Sequence, residues 1–290
     1  MSDPPGSARH DPEEPGERWQ RVEDPDDPRI EVFQGLRDHD LRQRRERPGG
    51  DRHGVFIAEG DLLLERGLAA GYTLLSVLVD GTRAKPLPAQ VPAEVPVYAA
   101  GRAVVQRITG LGVHRGAIAC FRRRPPPAAS DLLATARRIV VLERVNNPNN
   151  VGLILRSVAG LGIDAALLDP SCADPLYRRS SRVAMGTVFD LPWSWLEALP
   201  DGLSAVRDAG FEVVALTPAA EAEPLTALTP PASAKVALLL GSEGHGLSGA
   251  LLSIADRQVR IPMARGVDSL NVGVAAAIAC YQLVVASPAN

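Results

Sequence analysis

The sequence has 290 residues, 46% of them hydrophobic and 22% charged, which predicts about two folded domains and excludes a fibrous or wholly disordered chain. The net charge of −3 excludes a protein that coats nucleic acid through a globally basic surface, but it allows a local basic face. The three cysteines are widely spaced, which excludes a disulfide framework, and the five histidines are scattered, which excludes a metal-ligand pattern. No apolar run reaches the length of about 20 residues that a membrane span needs. We therefore expect a cytoplasmic protein without structural metal.

The first 28 residues are interpreted as a disordered tail, because they hold nine acids, three arginines and no hydrophobic period. The charged run 42–47 is typical of either a solvated helix end or an arm that faces RNA. From residue 54 onward the pattern indicates a compact α/β unit, and we place a first domain at 29–124. Its predicted strands are 55–58, 74–79, 95–98 and 116–121, and its predicted helices are 59–70 and 103–108.

Three consecutive prolines at 125–127 can continue neither a helix nor a central strand, so we predict a linker at 125–136. The domain that follows, 137–290, alternates apolar strands with helices, which indicates a parallel sheet covered on both faces. The predicted strands are 139–142, 165–168, 213–216, 236–240 and 259–262, and the predicted helices are 151–161, 247–255 and 269–286.

The first candidate motif follows a strand and opens a helix. Four of the five residues from Asn146 to Asn150 are asparagines. Asparagine caps helices and stabilises turns, but four exceed what one cap needs. Arg156 lies on an otherwise apolar helix and should need a partner, and its planar guanidinium suits phosphate. The motif is therefore either a structural turn or part of a binding site.

The second motif contains Gly241, Gly244 and Gly246. Its order, GxxGxG, differs from the GxGxxG of dinucleotide-binding proteins, and Leu247 stands where a P-loop has lysine. Neither a nicotinamide-dependent oxidoreductase nor a nucleotide triphosphatase is therefore expected. The remaining interpretation is a turn whose backbone can approach a ligand closely. Glu243 is its one acid, and His245 is either a base or an exposed turn residue.

The third motif runs from a strand end at Ile261 to a helix rich in small residues. Ser269 is a natural N-cap for that helix. The run 273–277 is Gly-Val-Ala-Ala-Ala, which suits a dimer face, a crowded cofactor pocket or an ordinary buried helix. All three motifs follow the carboxyl ends of predicted parallel strands, where open α/β sheets bind ligands.

Together the three motifs resemble the SpoU (TrmH-like) branch of the SPOUT RNA methyltransferases. The resemblance rests on Asn150, Gly152 and Arg156, on 240–246, and on 261–263 with 268–272, all in the family's order and spacing. The segment 182–187 also resembles a recurrent family segment. The match covers about 137–290. Residues 56–60 and 112–116 are similar to the ribosomal-protein-like RNA-binding domain that precedes many members.

The resemblance implies an α/β fold in which a SPOUT knot, a deep trefoil with a mostly parallel sheet, follows a small RNA substrate-binding domain. It implies an enzyme that transfers a methyl group from S-adenosyl-L-methionine to a ribose 2′-hydroxyl of RNA, and a homodimer with the active site at its interface. The extra N-terminal domain favours ribosomal RNA by analogy. The alternatives are a tRNA 2′-O-methyltransferase and a catalytically silent RNA-binding protein of the same fold.

The resemblance also assigns the site. The catalytic candidates are Arg156, Asn150, Glu243, Asn271 and Ser269. The cofactor-binding candidates are Leu216, Thr217, Leu240, Gly241, Gly246, Ile261, Met263 and Leu270. Arg156 is either the general base or, since guanidinium stays protonated, the group that holds a phosphate and stabilises the developing alkoxide.

For RNA we propose seven arginines, whose alternative role is solubilising surface charge: Arg115, Arg122, Arg123, Arg124, Arg178, Arg179 and Arg182. The body of the chain is compatible with an RNA partner. Residues 29–290 carry 28 basic and 25 acidic residues, so the acidic tail accounts for the negative net charge.

Overall fold

The computed structural model describes residues 19–36, 54–110 and 116–285 of the chain. These residues form two α/β units, each built on its own sheet. The predicted α/β class is confirmed. The charged run 42–47 and Arg115 lie outside the described residues.

The first sheet has five strands in the order β1-β4-β3-β5-β2. Strands β1, β4 and β3 are parallel, whereas β5 runs antiparallel to both β3 and β2. The strands are β1 (Trp19–Val22), β2 (Val55–Glu59), β3 (Leu74–Asp80), β4 (Val97–Ala100) and β5 (Ile118–Arg122), and the helices are α1 (Asp61–Ala69) and α2 (Arg102–Thr109).

The prediction of a disordered tail over 1–28 is wrong for 19–28, which contains strand β1, while 1–18 lies outside the described residues. Strand β1 pairs in parallel with β4, and its Val22 is buried together with Ile30 and Phe33 of the 3-10 turn Pro28–Phe33. The sequence hides this strand because its apolar residues are sparse among acids and its partner strand is remote in sequence. The first unit therefore begins at Trp19 instead of residue 29.

The second sheet has seven strands, all parallel, in the order β10-β12-β9-β11-β6-β7-β8. They are β6 (Arg138–Leu142), β7 (Ala165–Leu168), β8 (Trp193–Trp195), β9 (Glu212–Leu216), β10 (Glu223–Pro224), β11 (Val236–Leu240) and β12 (Arg257–Arg260). The helices are α3 (Ala129–Thr135), α4 (Pro148–Gly160), α5 (Arg178–Val183), α6 (Leu203–Asp208), α7 (Gly249–Ile254) and α8 (Val272–Cys280).

Apolar cores cover both faces of this second sheet, as predicted. Helices α4 and α8 bury residues such as Ile154 and Ala276 on one face, while α3, α6 and α7 bury Leu133, Val206 and Leu251 on the other. In the part of the chain that the structure describes, no helix combines the length and hydropathy of a membrane span.

Helix α3 corrects the linker predicted at 125–136. Leu133 and Ala136 are buried in the core of the second unit, and the Ser194 hydroxyl donates to the Pro127 carbonyl. The prolines do end the regular structure of the first unit, but a short helix starts two residues after them. The connection between the units is therefore limited to about 123–128.

Two helix starts differ from the predictions because asparagine caps them. Helix α4 begins at Pro148 rather than 151, since the Asn147 side chain accepts from the Asn149 N–H and proline suits the first helical position. Helix α8 begins at Val272, and Asn271 rather than Ser269 is its N-cap. A π-helical turn, Tyr281–Val285, follows α8.

Candidate active site

Three adjacent strands of the second sheet place the predicted cofactor-binding segments side by side. Strands β12, β9 and β11 are neighbours, so the chain leaves all three at one edge, at Ile261, Thr217 and Gly241. The Thr217 N–H donates to the Val259 carbonyl, which joins two of these strand ends at 2.9 Å. Met263 and Leu270 lie half-buried in the loop that follows β12.

Gly241 lets the loop 241–247 close on itself. A Cβ at this position would overlap the backbone of Leu247 and lie 2.5 Å from the Gly246 carbonyl oxygen. The Gly246 N–H donates to the Ser242 carbonyl at 2.9 Å, which completes the closure. Glu243 and His245 are exposed at the tip of this loop.

Glu143 is a buried acid at this edge that the sequence reasoning missed. It follows β6 directly, and its carboxylate Oε2 accepts from the Ser248 N–H at 2.7 Å. Ser248 is the N-cap of α7 and ends the glycine loop. This hydrogen bond therefore links the end of strand β6, which precedes the first motif, to the end of the glycine loop of the second motif. The available signal was an acid placed directly after four consecutive apolar strand residues, 139–142.

A hydrogen bond between two asparagines joins the first motif to the third. The Asn271 Nδ2 donates to the Asn150 Oδ1 at 3.0 Å, and the Asn271 Oδ1 accepts from the Gly273 and Val274 N–H groups. A Cβ at Gly273 would lie 2.6 Å from the Leu153 side chain, so α8 packs closely on α4. This part of the small-residue run therefore serves helix packing.

Gly152 of the first motif also has a packing role. A Cβ there would overlap the Ser180 carbonyl oxygen and lie 2.9 Å from the Val183 Cβ. Helix α5 therefore rests on α4 at a point where only glycine fits. The glycine of the N-x-G-x-x-x-R pattern is explained by this helix contact.

Arg156 is exposed on α4, about 9 Å further along the helix axis than Asn150. The sequence led us to expect a partner for this arginine, yet no ion pair joins it to any residue in 19–36, 54–110 or 116–285. Glu243 and Ser269 are exposed as well. One chain thus brings Asn150 and Asn271 together, while Arg156, Glu243 and Ser269 face solvent.

The predicted RNA-binding arginines differ in accessibility. The structure does not support the RNA contact predicted for Arg178, because the Arg178 side chain is buried and paired with Glu59. Arg123 is largely buried and pairs with Asp174 at 2.7 Å. Arg182 is exposed but also pairs with Glu59.

Arg122, Arg124 and Arg179 are exposed. Arg124 stacks its guanidinium over the Tyr72 ring at 4.0 Å and donates to the Ala70 carbonyl. Arg66, which sequence reasoning left out, donates to the Met185 carbonyl.

The thiols are chemically quiet. Burial raises the pKa of Cys172 and of Cys280 to about 12, so neither forms the reactive thiolate near neutral pH. Among the described residues, no three His, Cys, Asp or Glu side chains converge as a metal site.

The second unit is an α/β fold with a fully parallel sheet, and folds of this class usually bind their ligands at the carboxyl edge, where the polar loops of this chain lie. The chain belongs to the SpoU rRNA methylase family, whose model matches residues 137–281. The family predicted from the three motifs is confirmed.

Relatives match nearly the whole chain. An uncharacterized tRNA/rRNA methyltransferase of Mycobacterium bovis is 41% identical over 265 residues, 91% of each chain. The 23S rRNA guanosine 2′-O-methyltransferase RlmP of Bacillus subtilis is 30% identical over 79% of this chain and 88% of its own.

Solved structures are similar over the same extent. The AdoMet-bound rRNA methyltransferase of Sinorhizobium meliloti aligns with a TM-score of 0.73 and 25% identity, over 92% of this chain and 97% of its own. A crystal structure described as an RNA 2′-O ribose methyltransferase aligns with a TM-score of 0.70 and 30% identity, over 91% and 98%.

Proposed function

We propose that this protein is an S-adenosyl-L-methionine-dependent methyltransferase that acts on a ribose 2′-hydroxyl of ribosomal RNA. The observation that carries the proposal is the carboxyl edge of the second sheet, where Asn150 accepts a hydrogen bond from Asn271. Asn150 lies on the same helix, α4, as Arg156, an exposed arginine that forms no ion pair with any of the described residues. RlmP, a relative over most of the chain, is named for the same reaction on 23S rRNA.

The strand ends fit the cofactor. Adenine is neutral and can be read by backbone groups, and three neighbouring strands end together where loop backbone is within reach. The residues that would hold it are Leu216, Thr217, Leu240, Gly241, Gly246, Ile261, Met263 and Leu270. When bound, S-adenosyl-L-methionine supplies an electrophilic methyl group on a sulfonium.

Arg156 would act on the RNA. A guanidinium stays protonated in proteins, so Arg156 holds a phosphate beside the target ribose and stabilises the alkoxide that develops there. Asn150 and Asn271 orient the acceptor ribose, since their mutual hydrogen bond fixes both amides. Glu243 and Ser269 border the same edge from their exposed loops.

We propose a homodimer whose interface includes the outer face of α8. Val274, Ile278, Tyr281 and Val285 repeat at spacings of four, three and four, and all are exposed large apolar residues. Such a stripe on a helix end is typical of a buried surface, and a second copy would bring its own polar edge to Arg156.

Replacing Val274 and Ile278 by glutamate should convert the dimer to a monomer, because two charges would be buried at the interface. Sedimentation velocity measures the change, and Leu62→Glu is the matched control, since Leu62 is comparably exposed but lies on α1 of the first unit. A wild-type monomer, or a double variant that still sediments as a dimer, contradicts the proposal.

We further propose that the chain closes a deep trefoil knot around the cofactor edge. In support, β11 and β12 lie on opposite sides of β9, yet the chain after β12 returns across the sheet to pack α8 on α4. This return passes the loops that follow β9 and β11, which is where a knotted crossing would be made.

The first unit is proposed as the RNA substrate-binding domain. This unit would offer the RNA a five-stranded α/β platform. Arg122 and Arg124 are exposed at the end of β5, where the connection between the units begins. Together with Arg179 and the exposed part of Arg182, they would bind phosphates without reading sequence. We propose that the enzyme acts in the cytoplasm.

Mapping 2′-O-methyl sites in RNA from cells with and without the gene tests this function. We expect one ribosomal RNA position to lose its methylation in the deletion strain and to regain it on complementation with the wild type but not with Arg156→Ala. Loss of a tRNA modification instead would favour the tRNA alternative. An unchanged methylation map would favour a silent RNA-binding protein.

A further inference from the structure

The segment 178–189 of the second unit packs against the first unit, and the proposed function uses only its exposed arginines. It consists of α5 and the 3-10 turn Thr187–Phe189. The first unit contacts one side of it and helix α4 contacts the other. It therefore lies between the platform assigned to RNA and the helix that carries Asn150 and Arg156.

Glu59, the last residue of β2, contacts this segment from the first unit. Its carboxylate forms ion pairs with Arg178 and with Arg182, the second at 2.5 Å. The Glu59 and Arg178 side chains are only 3% and 5% exposed. A buried charge is costly without its partner, so this pairing fixes the position of α5 on the first unit.

Further contacts hold the same segment against the first unit. The Arg66 Nη1 donates to the Met185 carbonyl at 2.6 Å. The Phe189 ring lies 5.6 Å from the rings of both Phe56 and Tyr72. Ion pairs, a hydrogen bond and aromatic packing therefore all hold segment 178–189 against the first unit.

The other side of α5 transmits this position to the active-site helix. The Ser180 carbonyl and Val183 press on Gly152 of α4 with no side chain between the two backbones. Closely packed helices do not deform continuously, so a displaced α5 displaces α4. Asn150 precedes Gly152 by two residues, and Arg156 follows it by one helical turn.

We propose that Glu59 is a positioning residue that couples the first unit, through α5, to Asn150 and Arg156. The inference rests on the proposed function, because it concerns how these residues meet the RNA. The strand ends assigned to the cofactor belong to β9, β11 and β12, and α5 packs on α4 instead. Loss of the coupling should therefore lower kcat and leave cofactor affinity unchanged.

The test uses Glu59→Gln and the double variant Glu59→Gln/Arg178→Met in the full-length protein. We expect Glu59→Gln to lower kcat by about tenfold to a hundredfold, as small misplacements of catalytic groups do, with the Kd for S-adenosyl-L-methionine within about twofold of wild type. The double variant contains no unpaired buried arginine, so it should regain thermal stability without regaining kcat.

Asp80→Asn is the matched control, since Asp80 is a buried carboxylate of the first unit whose ion pair is with Arg102 of α2 and not with an arginine of α5. It should leave kcat unchanged even if it lowers the melting temperature. Recovery of kcat together with stability in the double variant would show a merely structural role and overturn the proposal.

Hydrogen exchange separates this proposal from the proposed function. In Glu59→Gln, but not in Asp80→Asn, amides of 180–189 and of α4 should exchange faster. If they exchange at the wild-type rate, the coupling is absent whatever the activity. If they exchange faster while the wild type methylates no RNA, the coupling stands and the proposed function fails.

Discussion

Arg156→Ala should lower the rate of RNA methylation by about 100- to 1000-fold, or roughly 2.7–4 kcal/mol of transition-state stabilisation, while binding of S-adenosyl-L-methionine survives. The expectation follows from the position of Arg156. It is exposed on α4, none of the described residues forms an ion pair with it, and the strand ends assigned to the cofactor belong to other elements. Arg156→Lys keeps the charge but loses the planar fork, so it should recover only part of the rate.

Arg137→Ala is the control for Arg156. Arg137 is also an exposed arginine of the second unit, but it precedes β6 and so lies at the amino edge of the same sheet. Single-turnover kinetics measures the rate, and calorimetric titration measures cofactor binding. Wild-type turnover in Arg156→Ala, or an equal loss in Arg137→Ala, contradicts the role given to Arg156.

Gly152→Ala should destabilise the protein by about 1–3 kcal/mol, the usual cost of overpacking a core, and should also reduce methylation. The added Cβ would overlap the Ser180 carbonyl oxygen, which belongs to backbone and cannot rotate away. Helix α5 must then move off α4, which shifts the helix that carries Asn150 and Arg156. The urea midpoint measures the loss of stability.

Gly160 provides a control in the same helix. A Cβ at Gly160 meets nothing within 4 Å, so Gly160→Ala should be neutral or stabilise the helix by up to about 1 kcal/mol. The contrast between two identical substitutions isolates the contact with α5. Equal urea midpoints for the two variants would show that the close approach at Gly152 has no energetic weight.

The sequence predicts five of the seven strands of the second unit because their signals are local, and it misses the short strands β8 and β10 and the helices α3, α5 and α6. Apolar runs such as 236–240 alternate with turns and helices, and the observed strand β11 has the same bounds. The three motifs lie at the predicted edge because parallel strands end on one side of the sheet. What local patterns predict poorly is the first strand, since Trp19–Val22 is defined by its pairing with a distant partner.

Side-chain roles are predictable only where they depend on neighbours in sequence. Asn271 and Asn150 are 121 residues apart, and no local pattern reveals their hydrogen bond. The sequence gives Gly152 only as part of a family motif, whereas the structure shows that it allows close contact with α5. In the sequence Arg178 cannot be distinguished from a surface arginine, and only the structure shows its ion pair with Glu59 of the other unit. In each case tertiary contact decides the role.

The most direct test of the central claim is methyl transfer by the purified protein. The protein is incubated with S-adenosyl-L-methionine labelled in its methyl group and with ribosomal RNA from cells that lack the gene. The RNA is then digested to nucleosides. We predict that the label appears on a ribose 2′-oxygen in the wild-type reaction and is absent with Arg156→Ala. Label on a base, or no transfer by a protein that binds the cofactor, would contradict the assignment.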